Sequence, residues 1–294
     1  MNAITQTTAT AGQVKQINRF GSDAIEKVLA ELGLDNPGAQ RVIEHGDDFA
    51  EAIRTAAITS LKDLSVSDKY KDEEVQSNYA YPKGYKVKGI TEQTNILRQL
   101  FPGIGFADEK IAEQPLPTNA EGWFAIPKWQ TLAPTYGEAV EKVLAMIASK
   151  RKFYNYRDGQ LGAEYLRQHA KTVKMFQQLG DEQKDFDILV VPAQFGLRHK
   201  GRSVRRAREV FTANEFGLGA FAIGIMVLTH PERLVQWEQL HVDCAGDEFA
   251  PGAGGDFSSA PFFDFDGGGV EFGARWYVYA DGHYGSASAF LSQS

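Results

Sequence analysis

Between positions 198 and 208 the chain carries Arg198, His199, Lys200, Arg202, Ser203, Arg205, Arg206 and Arg208 around a flexible Gly201. A guanidinium fork offers two parallel N–H groups that match two oxygens of one anion. This density of arginine, just beyond an apolar strand, therefore points to an anion site for a nucleic-acid backbone or a phosphorylated ligand. The same groups could instead neutralise carboxylates of the chain itself. No aromatic residues are interleaved to stack bases, and the glycine spacing of a phosphate-binding loop is absent.

A second set of reactive types lies further on, at His241, Asp243, Cys244, Asp247 and Glu248, followed by Asp264, Asp266 and Glu271. A thiol beside an imidazole can act as a nucleophile, and clustered carboxylates suit a hard divalent cation such as Mg²⁺ or Ca²⁺. Asp243, Asp264 and Asp266 are the candidate metal ligands. A metal-assisted or cysteine hydrolase would draw on His199, His241, Asp243, Cys244, Asp264 and Asp266 converging on one pocket. In an alternating strand, however, Cys244 faces away from His241 and Asp243. His45, His169 and His230 stand alone, without the spacing of a zinc site. No diagnostic catalytic motif is present, so the sequence leaves open whether the protein is an enzyme. Trp123, Trp129, Trp237, Trp276, Tyr277 and Tyr279 could line a sugar or peptide groove, or simply pack a core.

The elements that would position these groups follow from periodicity and punctuation. Residues 1–20 are expected to form a disordered tail and residues 21–114 a helical region. Asp23/Glu26 and Thr135/Glu138 form capping-box patterns, Asn36-Pro37 opens a second helix, and a break near His45-Gly46-Asp47 fits within it. Residues 122–294 are expected to be α+β, with the proline-bearing stretch 115–121 as the boundary. Within that region a helix is expected over 163–179 and a strand buried on both faces over 187–191. The apolar run 216–228 is expected to be a buried helix, with Gly217, Ala220 and Gly224 admitting a neighbouring backbone. Strands over 262–265, 270–279 and 286–291, separated by Asp-Gly turns, predict a C-terminal antiparallel meander. The fold class is thus α+β: a helical front, central helices around one or two buried strands, and a terminal meander.

The chain of 294 residues has a net charge of −7, unevenly spread. Residues 122–210 hold 16 Lys+Arg against 9 Asp+Glu, whereas residues 211–294 hold 2 against 11. Such complementarity allows a third reading, a self-assembling structural protein in which one copy's basic middle meets the next copy's acidic end. The lone Cys244 fits a reducing compartment, and no segment reads as a signal peptide or membrane span. The expected location is therefore cytoplasmic.

Overall fold

Capping residues and glycines set most of the helix limits. In a computed structural model that describes residues 9–64 and 68–291, the chain divides into two units, Met1–Leu61 and Lys62–Ser294. The first unit holds α1 (Ala11–Leu32), α2 (Asn36–Glu44) and most of α3 (Gly46–Leu64). Thr10 and Gln13 form the capping box that starts α1, and Gly33 ends it in the left-handed region at φ 55°. Helix therefore begins at Ala11, and the expected tail over 1–20 fails for its second half. Asp23 and Glu26 lie inside α1 and cap nothing, because the Thr10 box nearer the N-terminus supplies the better start. Residues 1–8 lie outside the described residues. The break near His45 is observed, between α2 and α3.

The expected boundary at 115–121 is a surface connection within the second unit, since the division falls at Leu61/Lys62. After α4 (Ile90–Leu100), strand β1 (Gly122–Pro127) leads into α5 (Tyr136–Lys150), which opens on the expected Thr135/Glu138 capping box. Short strands β2 (Phe153–Asn155) and β3 (Leu166–Gln168) precede α6 (Ala170–Glu182) and the buried strand β4 (Ile188–Gln194). The helix expected over 163–179 thus starts later and runs through Gly180, because β3 pairs with another strand and His169 caps α6. Next come α7 (Val204–Val210), β5 (Glu215–Gly217) and α8 (Ala220–Thr229). The run 216–228 splits at Leu218-Gly219, where β5 ends and α8 begins. All ten residues of α8 are buried, and at Gly224 the side chain of Val143 from α5 occupies the space a Cβ would need.

The remaining strands are β6 (His241–Asp243), β7 (Asp247–Phe249), β8 (Ser259–Asp266), β9 (Gly269–Trp276), β10 (Tyr284–Ser286) and β11 (Ser288–Phe290). One sheet has the order β1-β4-β11-β5, and β4 is buried along its whole length. The larger sheet has β6, β7, β8 and β9 in meander-like antiparallel pairing. Its β8–β9 hairpin turns at Gly267 and Gly268, both at positive φ as such a two-residue turn requires. The fold is α+β. Helices α4 and α8 pack on β1, and α6 packs on β4 and β5. Beyond β10 the chain leaves the larger sheet and inserts β11 between β4 and β5 in the smaller one.

Two side-chain amides complete the smaller sheet. Gln93 of α4 accepts from the Ala125 N–H and donates to the Trp123 carbonyl, covering the open edge of β1. Gln183 makes the same pair of bonds to Val190. Each amide imitates a neighbouring strand's peptide group, so backbone that would be buried unpaired is satisfied.

Candidate functional site

The arginine-rich segment follows β4 and is held against residues 68–77. The Val75 N–H donates to the Gly201 carbonyl at 2.8 Å, and the Ser203 N–H donates to the Glu73 carbonyl at 3.1 Å. Gly201 sits at φ 75°, and a Cβ there would strike the Val75 carbonyl. The guanidiniums then meet carboxylates. Arg205 pairs with Glu73 and stacks 3.9 Å from the Tyr70 ring centroid. Arg206 binds Asp68 at 3.0 Å, Glu74 at 2.5 Å and Glu209 at 2.8 Å. Arg202 reaches Glu74 at 3.3 Å, Ser203 donates its hydroxyl to Glu73, and Lys200 donates to the Tyr79 carbonyl. Arg208 donates to the Ala245 and Asp247 carbonyls. These partners hold Glu73 and Glu74 below the usual carboxylate range, although burial opposes the shift.

Arg198 and His199 turn to the fully buried Glu215. Arg202 donates to His199 Nδ1 at 3.1 Å, which leaves the proton on Nε2 to donate to Glu215 at 2.7 Å. The imidazole is therefore neutral, in keeping with a pKa lowered by burial. Burial would raise Glu215, but hydrogen bonds from His199 and Ser288, with Arg198 beside it, hold it below the usual carboxylate range. Ser288 donates to Glu215 at 2.6 Å and not to His199, so the imidazole has no hydroxyl to activate. An external anion would have to displace Asp68, Glu73, Glu74, Glu209 and Glu215 to engage these cations.

The C-terminal candidates converge only in part: Asp243 and Asp264 meet through Arg275 and Tyr284, whose guanidinium and ring centroid lie 3.7 Å apart, and His241 packs on the same ring. Cys244 is fully buried, and burial first, then Asp247 and Asp243, push its thiol pKa well up, so a reactive thiolate is disfavoured. Asp243 accepts two bonds from Arg275 at 3.0 and 2.8 Å. Asp264 accepts from the Tyr284 hydroxyl at 2.7 Å, and burial raises it to about 6. Asp266 is exposed in the hairpin turn and accepts from the Gly267 N–H. Among the described residues no three His, Cys, Asp or Glu side chains are grouped to hold a metal ion. His241 is buried between Trp237 and Tyr284 with neither ring nitrogen hydrogen-bonded, and burial lowers it to about 4. The hydrolase reading needed one shared pocket. His199 instead lies apart on Glu215, Cys244 is enclosed in the core and Asp266 is exposed, so only His241, Asp243 and Asp264 gather, around Arg275 and Tyr284.

A different site emerges at the end of β1, a cleft of about 500 Å³ between the turn at 127–131 and α6. Its floor is Ile126, Leu189, Phe221 and Ala222, and its walls carry Trp129, Tyr136 and Phe176. Trp129 and Tyr136 meet edge-on, 6.0 Å between centroids. Gln130, Gln168 and Gln177 line the opening and make no side-chain hydrogen bond with a described residue. Lys128 is turned away to the Gln183 carbonyl at 3.1 Å.

Behind the cleft, the Tyr136 hydroxyl donates to the fully buried Asp247, 2.8 Å from both carboxyl oxygens. Asp247 also accepts from the Ala220 N–H at 2.7 Å, which caps α8 from 27 residues away because Gly219 has no side chain to do so. Burial raises Asp247 to about 7, against the pull of Ala220, Tyr136 and Arg208. Sequence reading marked Trp129 as an aromatic candidate but missed Tyr136, Phe176, Gln168 and Gln177. They come from three separate elements, and no local pattern links them.

Comparison of the chain with protein-family models, with curated proteins and with solved structures finds no match. No described helix is long and apolar enough to cross a membrane.

Proposed function

We propose that the protein is a non-catalytic binder of a small, uncharged, planar heteroaromatic compound of nucleobase type, taken up in the Trp129–Tyr136–Phe176 cleft. One observation carries this reading. Where the arginine segment's cations are engaged by the chain's own carboxylates, the cleft presents three glutamine amides with no partner among the described residues beside aromatic walls. Its volume falls in the range of small-ligand sites, roughly 300–1,000 Å³. Aromatic faces favour a planar ring, and an amide offers a donor and an acceptor side by side to the ring's edge. Among the described lining residues the one cation, Lys128, is held by the Gln183 and Lys184 carbonyls, and Asp181 on the same lining offsets its charge. The arginine segment is an internal clamp for residues 68–77 in this reading. The buried single cysteine favours a cytoplasmic setting.

Isothermal titration of the full chain with adenosine, guanosine, cytidine, uridine and indole tests the assignment. Saturable binding of at least one, lost in Trp129→Ala and weakened in Gln177→Ala, is expected. Absence of heat and of thermal shift with all five at millimolar concentration overturns it. Salt-dependent binding of single-stranded DNA or inorganic phosphate by the unmodified chain would return the assignment to the arginines.

A further inference from the structure

A second cavity, of about 630 Å³, opens between residues 81–90 and the start of β1. The chain turns into it at Gly84, at φ 82°, where the Tyr85 N–H donates to the Pro82 carbonyl. It is pinned again at Lys88, whose N–H donates to His230 Nε2 at 3.0 Å and whose carbonyl accepts from Gln93 at 2.7 Å. Gly122 lets this segment lie flat on β1, since a Cβ there would meet the Val87 side chain at 2.7 Å. Between the two anchors, Tyr85 and Lys86 are left on the cavity wall.

Most of the lining is apolar or aromatic, with Val87, Ile90, Ala112, Trp123 and Leu197 beside Tyr81 and Tyr85. The polar groups decide what fits. Glu121 accepts from the Tyr81 hydroxyl at 2.7 Å and the Phe195 N–H at 3.0 Å. The buried Arg233 guanidinium, 4.0 Å from the Tyr81 ring centroid, offsets its charge. Lys88 is likewise offset by its ion pair with Glu232. Lys86 is exposed and makes no ion pair with a described residue. The Tyr85 hydroxyl oxygen is buried without a hydrogen-bond partner, where a buried tyrosine hydroxyl usually has one. Gly89 and Ile90 open α4 on the same wall, and no side chain caps that helix, so its first N–H groups add to the positive potential. Glu92 of that first turn is exposed and outside the lining. What is left unmatched is therefore one positive charge and hydrogen-bond donors, set in apolar walls.

We infer that this cavity binds a hydrophobic monocarboxylate, with its apolar body against Tyr81, Trp123 and Leu197 and its carboxylate between the Lys86 ammonium and the Tyr85 hydroxyl. A neutral ligand leaves the ammonium unmatched, and a dianion buries a charge that nothing on the wall balances. The volume suits a molecule of this size. This site is separate from the Trp129 cleft and does not rest on what that cleft binds.

Isothermal titration of the full chain with indoleacetate, phenylbutyrate and octanoate, each beside its uncharged amide, tests the assignment. Saturable binding of at least one carboxylate is expected, weaker at about 500 mM than at about 50 mM NaCl. Its amide is expected to bind at least about tenfold more weakly, and Lys86→Glu to lose at least about tenfold with thermal unfolding unchanged. Tyr85→Phe, which removes only the hydroxyl, is expected to lose roughly three- to tenfold. Trp129→Ala is expected to bind as the natural chain does. No saturable binding of any carboxylate at about 5 mM would overturn the inference. Equal affinity for acid and amide, or affinity unchanged in Lys86→Glu, would overturn it as well. Binding lost in Trp129→Ala would place the ligand in the other cleft, with the same consequence.

Discussion

Replacing Asp247 by Asn should change how stability depends on pH, and by an amount the structure sets. The carboxyl is fully buried, and its pKa is raised from 3.8 to about 7, first by burial. A raised folded pKa means that the native state holds a proton the unfolded chain gives up. The associated stability is fully present below pH 3.8 and is lost as pH rises through 7. Three pH units at about 1.36 kcal/mol each put a ceiling of about 4 kcal/mol on that loss. Asn keeps an acceptor for the Ala220 N–H and has no charge to bury. Relative to the natural chain, Asp247→Asn should therefore gain stability steadily between pH 4 and pH 8, by about 2–4 kcal/mol. Urea unfolding of both proteins across that range measures the difference. His230 and His241 titrate in both chains and cancel in it. A pH-independent offset between the two curves would refute the argument, because it would mean that Asp247 carries the same charge folded and unfolded.

Two further outcomes follow from the packing. Arg206→Met removes the cation shared by Asp68, Glu74 and Glu209; about 2–4 kcal/mol of stability should be lost, and limited proteolysis should cut first within 68–77. Gly246→Ala should cost about 3 kcal/mol or more in thermal unfolding, since a Cβ there collides with the backbone of Gly217 and Gly219.

The parts of the fold that depend on neighbours in sequence were readable from it. The Thr135/Glu138 capping box, the glycine turn after Asp266, the apolar run of β4 and the Gly33 stop all act through local hydrogen bonds or local φ. The start of α1 was misplaced because Asp23 and Glu26 imitate a cap spatially blocked by helix on both sides. The 216–228 run looked like one helix because Phe216 and Leu218 carry the apolar pattern of α8 backwards, and only pairing with β11 makes 215–217 a strand. The site was less legible still. The arginines' partners, Asp68, Glu73 and Glu74, lie some 130 residues away, and the cap on α8 comes from Asp247 beyond that helix. Charge balance along the chain suggested the acidic C-terminal region as the partner. Among the described residues only Glu215 of that region contributes an ion pair to the arginines.

The position of β11 bears on how the protein is made. This strand, Ser288–Phe290, lies between β4 and β5, and the segment just before it, β10, pairs with β6 in the other sheet. The smaller sheet cannot close until residues near 290 have left the ribosome, so the second unit must hold an open, apolar gap beside β4 throughout its synthesis. A message truncated only a few codons before Ser288 would yield a product lacking an interior strand, and cellular proteolysis would be expected to remove it.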